Sequence, residues 1–494
     1  MNNRLYISLV LALILLEACD RHDIDITPGI LYKVTTTEGE GFAVFEQTQN
    51  NKWHGIYYLD KGRLMAEAQM VGLKSNSELY LIDCKGREIP VICFSSYEYP
   101  KFIDYPETWT YRDSIYAVSV IKNIVYGKTQ GYWVSYPDSG GTYNEIFDAK
   151  REVLKNGNKE LELTLDIYIP NDSKSASRPL LVLIHGGAFF NGDKADDGFP
   201  EWSKYFAGLG YVVASVNYRL GFRKDPLSIK KAAYRAVQDV DAAIRYLISQ
   251  KEEYAIDPQR VFVAGTSAGG ITALNVAFMT NQDILSGIEK DSISVINSET
   301  QKPYSILGVG NMWGAVNDIS ILNNTSSAVI SFHNMGDPVV PFGKGHPFES
   351  VFLNWVIFPT MYGSSQITEY LGQQRATLKP YDLSNKHTLH IDKDETGKNK
   401  LNARFYEIET NMRDFFSSVM QPSPIIYEHR TGTQTFQISS SDIDSAFWFI
   451  EGGAILEQTN YRVNVLLFPD ATCHSVMVCG KYKSGLTFRN KWNL

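Results

Sequence analysis

The stretch Arg260-Val-Phe-Val-Ala-Gly-Thr-Ser-Ala-Gly-Gly270 predicts how the middle of this chain folds. Its apolar run, residues 261–264, is short, rich in β-forming residues and bounded by turn residues, which is typical of a strand buried on both faces. Gly265 and Gly269 lie two residues before and two residues after Ser267. A chain that reverses sharply between a strand and a helix leaves no room for a Cβ atom at those two places. Ser267 is therefore expected at the tip of a strand-to-helix turn.

A helix is expected to begin directly after this serine, at Ala268. Its first N–H groups and its dipole would face Ser267 and would favour negative charge that develops there. The same residues would also suit a plain turn of small residues between two core elements. The rest of the chain has to decide between these interpretations.

Expected strands and helices alternate around this turn. The clearest helical pattern covers residues 229–248, where apolar residues recur at spacings of three and four, while Lys230 and Arg245 belong to the opposite face. Such alternation predicts a mostly parallel sheet covered by helices, with ligands at the carboxyl ends of the strands. The expected strands are 163–169, 180–184, 211–216, 261–264, 328–332 and 379–383.

A second motif, His185-Gly-Gly-Ala-Phe-Phe190, follows the expected strand 180–184. Consecutive residues with little side chain allow backbone N–H groups to approach a substrate oxygen, which is what an oxyanion hole requires. Because the motif follows a strand of the same sheet, it is expected at the same edge as Ser267.

These two motifs resemble those of α/β-hydrolases of the carboxylesterase group, and the resemblance covers residues 114–420. The segment is similar to the hormone-sensitive-lipase-like and feruloyl/acetyl-xylan esterase branches. The resemblance implies that the N–H groups of Gly187, Ala188 and Ala268 form the oxyanion hole. It also implies that His185 shapes its loop, because the catalytic histidine comes last in this family.

The acid is expected after Ser267 and before the catalytic histidine. Asp337 follows the expected strand 328–332 within Gly-Asp-Pro-Val-Val-Pro, a segment similar to the one that carries the acid in relatives. The alternative is an aspartate in a solvated turn. The sequence predicts Asp337 as the acid, whereas His333 and His346 are expected to be structural.

The base is expected in Ser384-Asn-Lys-His-Thr-Leu-His390, between the last expected strand and a helix expected at 401–419. Related esterases carry Gly-His-x-x-His there, and their first histidine acts, which favours His387. Lys386 stands where these relatives have glycine, so a shifted loop with His390 as base is the alternative. Otherwise His390 is expected to cap the loop or to hydrogen-bond within it.

The segment between the acid and the base is expected to decide the substrate. It contains six aromatic residues, which would either border the substrate pocket or belong to the core. A helix is expected at 364–378, and Trp313 is a further candidate for the pocket. The six aromatic residues are Phe342, Phe348, Phe352, Trp355, Phe358 and Tyr362.

The fold class expected for the whole chain is an α/β-hydrolase domain flanked by two β modules. Short apolar runs alternate with turn signals in residues 19–112, which predicts a small antiparallel β domain followed by a linker. Residues 113–420 are the expected catalytic domain. Residues 421–494 resemble PKD-like or immunoglobulin-like modules, with strands expected at 447–455, 461–468 and 475–479. Both β modules are candidates for binding carbohydrate or a partner.

The first 18 residues predict a signal peptide, since Arg4 precedes an apolar run from Leu5 to Leu16. The ending Leu16-Glu-Ala-Cys19 resembles a bacterial lipobox, which implies cleavage before Cys19 and acylation of its thiol. The protein is then expected in the cell envelope, held to a membrane by lipid. Plain secretion with Cys19 as a free thiol is the alternative.

Four further cysteines and the composition limit other functions. Cys84 and Cys93 could pair across a hairpin in an exported protein, whereas Cys473 and Cys479 would be too far apart if both lay on one strand. No His/Cys spacing indicates zinc, and neither a metal nor an organic cofactor is expected. The net charge of −8 argues against nucleic acid as a partner.

Three classes of function therefore compete. A serine ester hydrolase explains both motifs and the order of the acid and the base. A serine peptidase of the prolyl-oligopeptidase type shares that fold and order, although such enzymes usually have an aromatic residue where this chain has Ala268. A catalytically idle binding protein is the third class, and it is disfavoured because no triad position is missing.

The lipobox-like ending predicts that metabolic labelling with a palmitate analogue marks this protein. We expect Cys19→Ser to abolish the label, since the thiol is the acylated group. A mutant that keeps the label would contradict an anchor at Cys19.

Overall fold

The computed structural model describes residues 31–36, 39–47, 53–59, 64–70, 80–82, 88–96, 111–135, 148, 150–171, 177–196, 198–223, 225–285, 302–351, 354–420, 424–428, 433–438, 443–451, 453–467, 474–483 and 487–493. The chain divides into two compact units. One contains the described residues of Thr108–Gln421, and the other contains those of Met1–Glu107, Pro422–Lys483 and Thr487–Leu494.

Six strands near the N-terminus form a closed antiparallel barrel, in which the last strand pairs with the first. Closure leaves no unpaired sheet edge. The small antiparallel β domain expected here is thus a barrel. Cys93 lies in its last strand, but Cys84 and their expected pairing lie outside the described residues, as does Cys19. The strands are β1 (Leu31–Thr36), β2 (Gly39–Gln47), β3 (Trp53–Leu59), β4 (Leu64–Met70), β5 (Tyr80–Ile82) and β6 (Glu88–Ser96).

The larger unit is built on an eight-stranded sheet. Six neighbouring strands run parallel, and an antiparallel pair extends one side. In spatial order the strands are β16 (Ala376–Tyr381), β13 (Ala328–Asn334), β12 (Ile306–Met312), β11 (Ile256–Thr266), β9 (Arg178–Ile184), β10 (Val212–Val216), β8 (Lys159–Pro170) and β7 (Val118–Gly131). Every residue of β9 and β10 is buried, as a strand covered on both faces requires.

Helices cover both faces of this sheet. On one face α3 packs against α5, and on the other Phe206 of α2 contacts Phe416 of α9. The long helix α3 contains the whole stripe expected at 229–248, and the Asp225 side chain caps it by accepting a hydrogen bond from Ser228 N–H. The helices are α1 (Arg151–Asn156), α2 (Phe199–Gly208), α3 (Pro226–Ser249), α4 (Lys251–Tyr254), α5 (Ala268–Phe278), α6 (Asn281–Leu285), α7 (Asn354–Ile357), α8 (Ser364–Leu371) and α9 (Ala403–Met420).

The remaining elements of this unit are short. A 3₁₀ helix spans Ile319–Asn323, and two small antiparallel hairpins pair β14 with β15 and β17 with β18. Their bounds are β14 (Lys344–Gly345), β15 (Met361–Tyr362), β17 (Ile391–Lys393) and β18 (Asn399–Leu401).

Two sequence expectations for this unit are wrong in detail. The helix expected at 364–378 ends at Leu371, because Gly372 has φ of +73° and turns the chain into β16, which begins at Ala376. That strand therefore begins three residues before the expected 379.

The strand β12 was not expected at all. It lies between β11 and β13, so the serine strand and the acid strand are not neighbours.

Seven strands near the C-terminus form one four-stranded and one three-stranded sheet. The two sheets share a core around Trp448, which is fully buried. The single strand expected at 447–455 is two strands in different sheets, because the chain changes sheets at Gly453, where a Cβ would lie 2.4 Å from the Leu466 carbonyl oxygen. The strands are β19 (Pro424–Glu428), β20 (Thr433–Ile438), β21 (Ile443–Glu451), β22 (Gly453–Gln458), β23 (Arg462–Leu467), β24 (Ser475–Tyr482) and β25 (Thr487–Asn493).

Cys479 lies in β24, and its side chain is buried. Cys473 is outside the described residues. No helix in the described part of the chain is long and apolar enough to cross a bilayer.

A buried ion pair ties α3 to the loop after β10. The Arg219 guanidinium and backbone N–H both donate to the Asp239 carboxylate, and neither side chain is more than 1% exposed. The same guanidinium also reaches the Gln130 carbonyl oxygen in β7. This pair therefore links three segments that are distant in sequence.

Replacing Asp239 with Ala is expected to cost about 3–5 kcal/mol of unfolding free energy, because it leaves the Arg219 charge buried without its carboxylate. Urea unfolding of the mutant and the parent measures this loss. Glu162→Gln is the matched control, since its pair with Lys128 is exposed, and it should leave the midpoint unchanged. Equal midpoints for all three proteins would contradict the prediction.

Candidate active site

Three predicted residues meet at the carboxyl edge of the parallel sheet. Ser267 follows β11, Asp337 follows β13 and His387 follows β16. The Ser267 Oγ lies 2.8 Å from His387 Nε2, and His387 Nδ1 lies 2.7 and 2.9 Å from the two Asp337 carboxylate oxygens. These side chains are 120 and 50 residues apart in sequence, so only the sheet brings them together.

Ser267 lies at the strand-to-helix reversal, as expected. Its backbone is strained, with φ of 52° and ψ of −116°, a conformation that is rare for residues with a side chain. The reversal places Gly269 so close to β9 that a Cβ there would lie 2.1 Å from the Ile184 carbonyl oxygen. The elbow therefore needs this glycine, and the side chain of Ser267 is held above the end of the sheet, 9% exposed.

The loop expected to form an oxyanion hole is also strained. Gly187 and Ala188 have positive φ values of 98° and 52°. A Cβ at Gly187 would lie 1.9 Å from the Asn191 carbonyl oxygen, so only glycine fits. Ala188 and Ala268 line a cavity together with Ser267. Gly187, although it is described in the structure, is not among the residues that line this cavity.

His185, which begins this loop, lies away from the proton path. It is fully buried and stacks on Tyr218 with ring centroids 4.4 Å apart. Burial lowers its pKa to about 4, which keeps the ring neutral near pH 7. This environment fits the structural role expected for His185.

The Asp337 carboxylate is buried and almost fully hydrogen-bonded. Its Oδ1 accepts from the backbone N–H groups of Val339 and Val340, at 2.8 and 3.1 Å, and both oxygens lie near His387. Burial alone would raise the pKa of this carboxyl group. The hydrogen bonds from His333 and His387, with that from Val339, outweigh burial and lower the pKa to about 2. Asp337 is therefore ionised at neutral pH.

The charge on Asp337 determines the tautomer of His387. An ionised carboxylate only accepts hydrogen bonds, so the His387 Nδ1 that faces it must carry a proton. In the neutral ring, Nε2 is then an acceptor, and it receives the Ser267 hydroxyl. The geometry thus prepares Nε2 to take a proton from the serine.

His333 is the clearest residue whose position the sequence reasoning missed. It is fully buried, and its Nε2 lies 3.3 Å from Asp337 Oδ2 and 3.1 Å from the Val340 carbonyl oxygen. Its Nδ1 lies 2.8 Å from Ser364 Oγ, which also accepts from the Asn311 amide. Because its Nε2 faces only acceptors, the Asp337 carboxylate and the Val340 carbonyl oxygen, this nitrogen carries a proton. The spacing of four residues between His333 and Asp337 at a strand end is the signal that could have found it.

Asn334 connects the acid strand to the base loop. Its amide donates to the carbonyl oxygens of Leu383 and Lys386, both at 2.7 Å, and accepts from Leu383 N–H at 2.8 Å. Lys386 thus takes part through its backbone, while its side chain pairs with Asp392. The loop keeps its position although lysine stands where relatives have glycine, and His387 is the histidine that reaches Ser267.

His390 lies in a stack of rings instead. Its ring is sandwiched between Trp202 and Trp313, with centroids 5.2 and 5.4 Å away and both planes inclined by 27°. The expectation that Trp313 borders the pocket is wrong: it is 1% exposed and packs edge-on against His387, with centroids 6.4 Å apart. The stack supports the base loop from behind.

Ser267 opens into a cavity of about 520 Å³. Its wall is mostly apolar and comes from α3, α5 and the segment between the acid and the base. Of the six aromatic residues expected to border the pocket, Phe348 and Phe358 do so, with ring centroids 4.9 Å apart. Phe342 instead packs against His333, and Trp355 is 63% exposed. Phe352 is outside the described residues.

Comparison with known families supports the fold. The BD-FAE family model matches residues 165–339, which is less than half of the chain. This segment includes the loop at His185, the turn at Ser267 and the predicted acid, Asp337. With the mostly parallel sheet, the match supports an α/β-hydrolase fold for the larger unit.

Several curated relatives are named as esterases or deacetylases, and they match over short stretches. The chain is 36% identical to arylacetamide deacetylase of Oryctolagus cuniculus over 115 residues, which is 22% of this chain and 27% of that protein. It is 34% identical to para-nitrobenzyl esterase of Bacillus subtilis over 114 residues, 22% of this chain and 23% of that protein. The chain thus spans less than a third of the length of either relative.

Among solved structures, esterase 2 of Thermogutta terrifontis, phosphorylated by paraoxon, matches 53% of this chain and 90% of its own. The identity is 20%, and the TM-score is 0.38.

The low pKa of Asp337 predicts how stability depends on pH. A carboxyl group whose pKa is lower in the folded state stabilises the fold above its unfolded pKa and loses that contribution as pH falls towards about 2. Between pH 4 and pH 2, the parent should lose about 2 kcal/mol more unfolding free energy than Asp337→Asn, because the mutant has no carboxyl group to protonate at this position. Urea midpoints across this range, for both proteins, measure the difference. Parallel curves would contradict the assignment of a depressed pKa to Asp337.

Proposed function

We propose that this chain is a serine carboxylic-ester hydrolase that works through an acyl-serine intermediate. The observation that carries the proposal is the continuous hydrogen-bonded series from Asp337 through His387 to Ser267, which ends at an apolar cavity. A serine hydroxyl is a weak nucleophile unless a base accepts its proton, and this series supplies that base. The similarity of this chain to an arylacetamide deacetylase and to a para-nitrobenzyl esterase supports the same class of reaction.

In the first half-reaction, Ser267 Oγ attacks the carbonyl carbon of the ester, and its proton moves to His387 Nε2. Asp337 stabilises the imidazolium that results and holds the ring in the correct tautomer. The ester C–O bond then breaks, and the same proton passes to the leaving alcohol. In the second half-reaction, water attacks the acyl-serine with His387 again as the base, which releases the acid and restores Ser267.

The oxygen of the attacked carbonyl group becomes negatively charged during each half-reaction. We assign its stabilisation to the N–H groups of Ala188 and Ala268, which line the cavity beside Ser267, with Gly187 as the third predicted donor. Ala268 is the first residue of α5, where backbone N–H groups lack partners within the helix. The helix dipole at this end also favours the developing negative charge.

The proposed substrates are acetyl, feruloyl or other short acyl esters of small molecules, carbohydrates or lipids. The apolar wall of the cavity supports an acyl group that is removed from water. We further propose that the chain is an exported bacterial lipoprotein of the cell envelope, anchored through Cys19, and that its C-terminal β strands form a PKD-like module.

The proposal predicts that the purified protein hydrolyses 4-nitrophenyl acetate and that Ser267→Ala does not. His387→Ala should lower kcat by roughly 10³-fold or more, because the serine loses its proton acceptor and the leaving group its donor. Steady-state kinetics and labelling by a fluorophosphonate probe measure both effects. Preferential cleavage of an aminoacyl-4-nitroanilide would instead indicate a peptidase, and absence of labelling would indicate an idle binding protein.

His390→Phe is the matched control for the base. It removes a histidine three residues from His387 but keeps a ring between Trp202 and Trp313. We expect it to lower kcat on the order of tenfold at most, because His390 supports the loop and does not reach Ser267. A larger loss in His390→Phe than in His387→Ala would contradict the assignment of His387.

A further inference from the structure

Helix α5 contributes one of its faces to the cavity wall. Ala268, Ile271 and Asn275 lie on this helix at spacings of three and four residues, and Met279 follows its end. Residues at these spacings share one face of a helix. The wall therefore runs along the helix away from Ser267, and Asn275 is the polar member of an otherwise apolar row.

Asn275 is 8% exposed and lines the cavity. Its Nδ2 donates to the Ile271 carbonyl oxygen at 2.8 Å, which fixes the orientation of the amide. Within the described residues, no donor reaches its Oδ1, so one acceptor of a nearly buried side chain faces the cavity. This oxygen is not among the fully buried polar atoms that lack a partner, so water in the cavity can reach it. A molecule that fills the cavity displaces that water, and it leaves the acceptor unpaired unless it supplies a donor itself.

The distance from the serine determines what could reach this oxygen. Eight residues of α-helix separate the Cα atoms of Ser267 and Asn275 by about 12 Å. Side chains of a helix lean towards its N-terminus, which brings the Asn275 amide back towards Ser267. An extended acyl chain of about eight carbons bonded to Ser267 covers this distance, whereas an acetyl group does not.

We propose that Asn275 is a specificity residue that accepts a hydrogen bond from a hydroxyl at the far end of the substrate's acyl chain. The proposal rests on the ester hydrolase function argued above. The acyl group is assigned to this cavity because it stays bonded to Ser267 between the half-reactions, while the alcohol must leave. Such a chain contacts the apolar side chains of Ile271 and Met279 before its hydroxyl meets Asn275 Oδ1.

The test compares 4-nitrophenyl 8-hydroxyoctanoate with 4-nitrophenyl octanoate in the parent and in Asn275→Leu. The measured quantity is the ratio of kcat/KM for the two esters in each enzyme. Removing the acceptor leaves the substrate hydroxyl facing a leucine on a row of α5 that is otherwise apolar, so we expect the ratio to fall by about tenfold or more in Asn275→Leu. Asn275→Asp keeps an acceptor at this position and should keep the ratio near that of the parent.

Met279→Leu is the matched control, because it alters the apolar wall one turn further along and should change kcat/KM for both octanoyl esters alike. A second comparison needs no mutant: the parent should disfavour 4-nitrophenyl 3-hydroxyoctanoate relative to the 8-hydroxy ester, since a hydroxyl on the third carbon does not extend as far as Asn275. Equal ratios in the parent and Asn275→Leu, with 4-nitrophenyl acetate still hydrolysed, would overturn the role of Asn275. Failure of the parent to hydrolyse 4-nitrophenyl acetate would overturn the ester hydrolase function instead.

Discussion

The close approach of α5 to β9 is the constraint on which the site depends. At Gly269 the helix backbone lies so near the Ile184 carbonyl oxygen that no Cβ fits. This contact lets the chain reverse within a few residues after β11 and places Ser267 in a strained conformation at the edge of the sheet. A wider turn would move both Ser267 and the N-terminus of α5 away from the loop at Ala188. The positions of Ser267 and of the predicted oxyanion donors therefore depend on the same contact.

The buried charge of Asp337 organises the other half of the site. A carboxylate in this position needs hydrogen bonds to stay ionised, and the backbone of Val339 and Val340 together with two histidines supplies them. His333 is itself held by Ser364 at the start of α8. Hydrogen bonding thus extends from α8 to the serine. These hydrogen bonds explain why the Asp337 side chain has a defined orientation although it lies in a turn.

The base loop is positioned from two sides. Asn334 at the end of β13 binds the backbone of Leu383 and Lys386, and the ring stack of Trp202, His390 and Trp313 packs behind the loop. These contacts join a strand, two loops and a helix that are far apart in sequence. They leave His387 directed at Ser267 with 18% of its side chain exposed, so water can reach the ring.

The sequence alone determined the local features, because each depends on residues that are neighbours in the chain. The glycines around Ser267 required a sharp turn, and the stripe at 229–248 required a helix. The order of Ser267, Asp337 and His387 followed from a family resemblance, although that order did not state their distances.

The tertiary structure decided what depends on contacts between distant segments. In the structure, β12 lies between β11 and β13. Trp313 packs against His387 and does not line the pocket, and His333 contacts Asp337. The tertiary structure also turned Asn275 of α5 towards the cavity, which no local pattern indicates, because the cavity exists only where separate elements enclose it.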